Sequence, residues 1–124
     1  MCGIGGFYGE GSAATLKKMT EVLARRGPND SGTWRKGKVG LAHTRLSIID
    51  LSEAGHQPME SSTGKTCIVF NGEIYNYREL KRDLGDSYSF RSGSDTEVIL
   101  ALYERGGTKA FDSLNGMFAF ALYD

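Results

Sequence analysis

The sequence predicts an α+β fold in which helices cover sheets that are apolar on both faces. Three observations carry that prediction. Residues 117–123 read as a strand with Phe118, Phe120 and Leu122 on one face and Met117, Ala119, Ala121 and Tyr123 on the other. Thr66 to Phe70 is a short, almost continuously apolar run, the pattern of a strand buried on both sides. Other segments show apolar residues at helical spacing behind capping residues, which are helix signals. Layers should therefore flank the sheet on both sides.

Element by element, Ile4 to Tyr8, punctuated by Gly3, Gly5, Gly6 and Gly9, reads as a strand that begins almost at the first residue. Ser12 can cap a helix whose apolar positions are Leu16, Met19, Val22 and Leu23. Arg25 and Arg26 are expected in its last turn, with Gly27-Pro28 as the stop. Gly27 to Lys38 is expected as loop, because Pro28-Asn29-Asp30-Ser31-Gly32 is rich in turn residues. Val39 to Leu46 alternates in part and reads as a strand. A polar segment, Asp50 to Lys65, separates it from the apolar strand Thr66 to Phe70. Tyr77, Leu80, Lys81 and Leu84 trace one helical face that ends at Gly85. Ser94-Asp95-Thr96-Glu97 has the form of a capping box. It opens a helix through Val98, Leu102 and Tyr103 that Gly106-Gly107 closes. A helical turn near Ala110-Phe111 leads into the last strand.

Length and composition narrow the function classes. A chain of 124 residues suits one domain. Lys+Arg and Asp+Glu both total 15, so the net charge is zero. That leaves no electrostatic footprint for nucleic acid and no polybasic membrane patch. No apolar stretch is long enough to cross a membrane, and the Met1-Cys2-Gly3-Ile4 start is unlike a signal peptide. Two cysteines without metal-ligand spacing exclude a disulfide scaffold and argue against structural zinc. The expectation is a cytoplasmic protein with free thiols. The 17 glycines are about twice the usual share of ~7%, a sign of tight turns and close backbone approaches.

Several residues are candidates for chemistry, each with a plainer reading beside it. Cys2 is either a small residue after the initiator or a nucleophile. Removal of Met1 would put a free α-amine on the residue that carries the thiol, and an amine of pKa about 7.7–8.0 can act as base toward it. Asn71-Gly72 is a strong signal for a two-residue hairpin turn; alternatively, the Asn71 amide and the Gly72 N–H stabilise an oxyanion. Glu73 and Asn76 follow, adding more polarity than a turn requires. Arg45 is an exposed strand-end residue or a fork for a carboxylate. Asp95, at the first helical position after Ser94, serves the helix dipole or a ligand ammonium. His43 and His56 receive no role. The glycine-rich start has no preceding strand and is not a dinucleotide loop.

Taken in order, Met1-Cys2-Gly3-Ile4-Gly5-Gly6, Arg26-Gly27-Pro28, Leu46-Ser47-Ile48-Ile49-Asp50-Leu51, Gly55-His56-Gln57-Pro58-Met59, Asn71-Gly72-Glu73-Ile74-Tyr75-Asn76, Ser92-Gly93-Ser94-Asp95-Thr96-Glu97 and Leu114-Asn115-Gly116-Met117-Phe118-Ala119-Phe120 resemble one family along the whole chain. It is the class II glutamine amidotransferases, which are N-terminal-nucleophile hydrolases. The nearest likeness is the glutaminase domain of asparagine synthetase.

The resemblance implies a four-layer αββα sandwich and hydrolysis of glutamine to glutamate and ammonia. By position, Cys2 would be the nucleophile, forming a thioester with its own α-amine managing the proton. Asn71 and Gly72 would stabilise the oxyanion, Arg45 would bind the substrate carboxylate, and Asp95 and Glu73 its ammonium. Retention of Met1 would block this chemistry. Glutamine is then the substrate, and a synthetase domain or subunit receives the ammonia. No cofactor is expected in this segment; ATP and Mg would belong to the synthetase domain, which this sequence lacks. The chain departs from the family's common pattern at Arg25, where His is usual, and at Asn29, where Asp is usual; altered loop contacts are expected there. The family's domain continues past the last strand, so the chain is expected to be a truncated glutaminase domain, a fragment or a split subunit, with open sheet edges. A different ammonia acceptor, a surface-polysaccharide sugar or carboxylate, stays open, as does a non-catalytic remnant serving as an interaction module.

Overall fold

Six strands and three α-helices succeed one another in a computed structural model that describes all 124 residues. They are β1 (Gly3–Tyr8), α1 (Ala13–Leu23), β2 (Asp30–Lys36), β3 (Val39–Arg45), β4 (Met59–Glu60), β5 (Cys67–Ile74), α2 (Tyr77–Leu84), α3 (Asp95–Gly106) and β6 (Gly116–Tyr123). Two antiparallel sheets form, in the orders β1-β3-β2 and β4-β5-β6.

The layers follow from which faces are apolar. Leu41, Cys67 and Val69 pack between the sheets, with Ile4, Trp34, Val39 and Tyr123 around them. On the outer face of the second sheet, Ile68, Phe70 and Ile74 pack against Leu80 and Leu84 of α2 and Val98 to Leu102 of α3. Burying each large aliphatic side chain there contributes about 1.5–3 kcal/mol relative to exposure. On the outer face of the first sheet, α1 is anchored by Leu16, 2% exposed, and by the Thr44 hydroxyl donating to the Leu23 carbonyl at 3.0 Å. The order α1, sheet, sheet, α2 with α3 is the four-layer αββα sandwich. No helix is long and apolar enough to cross a membrane.

Several local expectations need correction. Gly27 to Lys38 is not a loop, because Asp30–Lys36 pairs residue for residue with β3. Gly37, at φ +57°, starts the two-residue turn that joins them, and a glycine there suits a primed turn. Pairing with β3 outweighs the turn chemistry of Asn29 to Gly32. Helix α1 stops at Leu23, so Arg25 and Arg26 lie beyond it; Val22 is 82% exposed, one step off the core face. Asn71-Gly72 does not turn. The eight-residue β6 supplies a continuous ladder from Cys67↔Tyr123 to Ile74↔Gly116, and β5 runs straight through the pair. Ser94 caps α3 by accepting the Thr96 N–H at 3.1 Å, but Glu97 does not close the box. Its buried carboxylate accepts instead from the N–H groups of Arg91 and Ser92 and from the Ser92 hydroxyl. The polar segment holds the short β4 and a single 3₁₀ turn, Glu53–Gly55. On β6, Phe120 and Leu122 join the helical core and Tyr123 the inter-sheet layer, while Met117 is 67% exposed.

Candidate active site

Strand alternation builds the site. On β3, residues 41, 43 and 45 share the face toward the second sheet; on β5, residues 67, 69, 71 and 73 face the first. Both faces begin apolar, with Leu41, Cys67 and Val69 in contact, and end polar, with His43 and Arg45 opposite Asn71 and Glu73. At that end lies a cleft of about 220 Å³, and Cys2, Arg45, Asn71, Gly72, Glu73 and Asp95 all line it. The structure thus brings these six residues together, while Asn76 lies outside, its side chain donating to the Ser113 carbonyl and accepting the Asn115 N–H.

Cys2 sits at the mouth of β1, partly buried. The Leu46 N–H donates to its Sγ at 3.3 Å, and Arg26 Nε donates to its carbonyl oxygen at 3.1 Å. The other thiol, Cys67, is 1% exposed, and burial pushes it up to about 12. Of the two thiols, only Cys2 lines the cleft.

Arg45 is 7% exposed. Its Nη1 donates to the Ser52 carbonyl at 2.8 Å, and its Nη2 donates to the Asp50 carbonyl. A Cβ on Gly55 would come within 2.2 Å of Nη2, so glycine leaves the room that the guanidinium occupies. The Asp50 carboxylate accepts from the Ser52 hydroxyl and N–H and from the Gly93 N–H at 2.9 Å. These bonds, with the Ser52 hydroxyl first, hold its carboxyl below the usual range. The segment that gives the cleft Leu46, Ile48, Ile49 and Asp50 is thereby tied to Arg45 and to the approach to α3. Asn29, the departure noted above, joins in through Oδ1, which accepts the Ser47 N–H at 3.0 Å.

The opposite wall is an open strand edge. Strand β4 pairs with β5 only at Cys67 and Ile68, so β5 has no strand partner on that side from Phe70 onward. The Phe70 N–H goes to Gln57 Oε1 at 2.7 Å, and the Ile74 N–H goes to Asp95 Oδ2 at 2.9 Å. Every second residue of a strand presents its backbone groups to the same edge, so the Gly72 N–H lies between them, facing the cleft. Gly72 has φ +150°, and a Cβ there would meet the Met117 carbonyl oxygen at 2.2 Å. Asn71 lines the cleft, and its Oδ1 is buried without a partner.

Asp95 is 4% exposed at the first turn of α3. Burial pushes its carboxyl up, against its hydrogen bonds from Ile74 and α3, and the neighbouring Glu73 charge adds to the rise. Glu73 itself is exposed at the rim. Chemically, the cleft is lined by residues that carry a thiol, an amide, a glycine N–H, a guanidinium and two carboxylates. No three His, Cys, Asp or Glu side chains cluster as a metal set.

Two residues escaped the sequence reading. His43 is fully buried and its Nε2 bonds the Phe70 carbonyl at 3.1 Å; its place two residues before Arg45 on an alternating strand was the available signal. Gln57, 5% exposed, had no signal beyond its place in Gly55-His56-Gln57-Pro58. His56 lies at the surface, with Nδ1 2.5 Å from Asp30 Oδ2.

Comparison with known proteins agrees with this architecture. Residues 1–124 match the family described as glutamine amidotransferase domain. The chain is 44% identical over 129 residues to asparagine synthetase B (glutamine-hydrolyzing) of Escherichia coli strain K12, covering 100% of this chain and 23% of that protein. It is 39% identical over 145 residues to a putative glutamine-hydrolyzing asparagine synthetase of Methanocaldococcus jannaschii, covering 100% of this chain and 28% of that protein. The chain therefore spans about a quarter of the length of these curated relatives. Among solved structures, glutamine phosphoribosylpyrophosphate amidotransferase from B. subtilis, complexed with ADP and GMP, superposes with a TM-score of 0.79 at 22% identity, over 97% of this chain and 34% of that one. That likeness shows the fold. Matched along its entire length by one family and fully covered by a 44% identical relative, this chain belongs to the glutamine amidotransferase domain family.

Proposed function

We propose that this domain hydrolyses glutamine to glutamate and ammonia through a thioester on Cys2, and that the ammonia passes to an acceptor site of asparagine-synthetase type. The observation that carries the reading is the convergence of Cys2, Arg45, Asn71, Gly72, Glu73 and Asp95 on one cleft. A zwitterionic amino acid fits that charge layout. Its carboxylate pairs with Arg45 and its ammonium with Asp95 and Glu73, while its side-chain amide reaches Cys2.

The steps follow from the groups present. Removal of Met1, which is 58% exposed, leaves the α-amine on Cys2. That amine takes the thiol proton as Sγ attacks the amide carbon, and the carbonyl electrons move onto oxygen. Asn71 Nδ2 and the Gly72 N–H stabilise this oxyanion, a task worth about 10²–10³ in kcat per donor. As the oxyanion collapses, the α-ammonium protonates the departing nitrogen, and ammonia leaves a thioester behind. Water, deprotonated by the same amine, attacks the thioester; glutamate departs and the thiol is restored. No step calls on a cofactor within this domain. ATP and Mg would serve the acceptor's activation on a separate synthetase domain or subunit, and a cytoplasmic setting would keep Cys2 reduced.

Intact mass and active-site labelling test the reading. Mass should show Met1 removed, and a glutamine-analogue electrophile should leave one adduct on Cys2 that Cys2→Ala abolishes. Retained Met1, or an adduct on Cys67, would overturn it.

A further inference from the structure

Gln57 joins the two halves of the cleft. Its Oε1 accepts the Phe70 N–H at 2.7 Å, and its Nε2 donates to Thr96 Oγ1 at 3.2 Å. Phe70 precedes Asn71 on β5, and Thr96 follows Asp95 on α3. One side chain, 5% exposed, therefore links the strand edge that offers the oxyanion donors to the helix turn that offers the ammonium-binding carboxylate. We propose that Gln57 is a positioning residue that sets the span between these two parts of the site. The inference rests on the glutamine-hydrolysis reading and deepens it.

The surroundings make Gln57 the controlling link. At Phe70, strand β4 has ended and no neighbouring strand takes the backbone groups on that edge. Two side chains take them instead: Gln57 on the N–H, and His43 on the carbonyl at 3.1 Å. Burial lowers His43 to about 4, so the ring is neutral and Nε2 is its donor toward the carbonyl oxygen. The peptide groups around Phe70 are thereby oriented one residue before Asn71 and two before Gly72. Four residues further on, the Ile74 N–H binds Asp95 Oδ2 directly at 2.9 Å. The edge from 70 to 74 is thus tied to the first turn of α3 at both ends, with the Gly72 N–H in the middle.

The span matters because glutamine and asparagine differ by one methylene. An apolar pocket separates such a pair only about 10–200-fold. A fixed distance between ammonium site and oxyanion site discriminates further, since a misplacement of about 1 Å costs roughly 10² in rate. Glutamine has the reach to bridge both partners. Asparagine at this position would be about 1.5 Å short, and leucine has the bulk without either bond.

Steady-state kinetics on the full chain test the proposal, with the folded fraction measured for every variant. Gln57→Asn and Gln57→Leu should lower kcat for glutamine about 10–100-fold per folded molecule, with a smaller change in KM, because oxyanion contacts strengthen in the transition state. Thr96→Val, which cuts only the tie to α3, should lower kcat about 3–10-fold and decides the matter if the Gln57 variants do not fold. Folded variants whose kcat stays within about twofold of wild type, even if less heat-stable, would overturn the positioning role and leave the Cys2 reading intact. A wild-type chain with Met1 removed and no glutaminase activity would overturn both.

Discussion

The Leu46 N–H donates to Cys2 Sγ at 3.3 Å, and Leu46 is the residue directly after Arg45. The end of β3 therefore seats the thiol and carries the guanidinium on consecutive residues. Because β1 pairs with β3 from Gly3↔Thr44 onward, the first strand delivers Cys2 to that point. One strand pair thus brings the Cys2 thiol beside the start of the Arg45 side chain, while the loop carbonyls of Asp50 and Ser52 fix where the guanidinium ends.

Arg45→Lys should raise KM for glutamine about 10–100-fold, with a smaller effect on kcat. Arginine donates from both terminal nitrogens to the Asp50 and Ser52 carbonyls while it faces the cleft, and lysine cannot fork in this way. The magnitude corresponds to losing one charge-assisted bond of about 1.5–3 kcal/mol. Glutamine kinetics check it; an unchanged KM would remove Arg45 from substrate binding.

Asp95→Asn should separate stability from function. Burial raises the Asp95 carboxyl above its unfolded value. Between the two values the folded state binds more protons, so stability falls as pH rises through that window and stays lower above it. Asparagine removes this cost and keeps an oxygen for the Ile74 N–H. Urea unfolding at pH 7 should find the variant at least as stable as wild type, while KM for glutamine rises about tenfold or more. A variant that is stable and binds glutamine normally would contradict the ammonium role.

His43 should make the domain acid-sensitive. Burial lowers it from 6.5 to about 4, against the pull of the Phe70 carbonyl, with Arg45 and His56 favouring the neutral ring and Asp30 opposing. The unfolded chain therefore binds the extra proton in that window, and stability drops as pH falls from about 6.5 to about 4. The loss is on the order of 3 kcal/mol. Urea midpoints across this range should fall more steeply in wild type than in His43→Gln; parallel slopes would show that His43 does not titrate this way.

Gly72→Ala should destabilise the domain by about 2–4 kcal/mol and shift β5 against β6. The added methyl meets the Met117 carbonyl at 2.2 Å in a backbone conformation that favours glycine. Thermal unfolding measures the cost. An unperturbed melting temperature would mean that the backbone at this site relaxes freely.

Local signals were read well from sequence where their physics is local. The Ser12 and Ser94 caps, the α2 face ending at Gly85 and the start of α3 depend on residues within a turn or two of each other. The six candidate residues could be named because their types suit a thiol reaction on a zwitterion and because the segments holding them resemble one family. The same reading failed where a distant partner decided. Asn71-Gly72 favours a turn by itself, yet β6, more than forty residues later, holds it extended. Asp30 to Lys36 carries turn residues, yet β3 makes it a strand.

From the sequence came the helices and the residue types of the site, since periodicity and capping are properties of short segments, and the resemblance of its motifs to one family added the four-layer order and the grouping of those residues into one site. Tertiary structure alone decided how that inventory is arranged. The early end of β4 leaves an open edge on β5; His43 and Gln57 occupy it at Phe70, Asp95 closes it at Ile74, and the Gly72 N–H faces the cleft between them. No local pattern encodes an edge, because an edge is defined by where another strand stops.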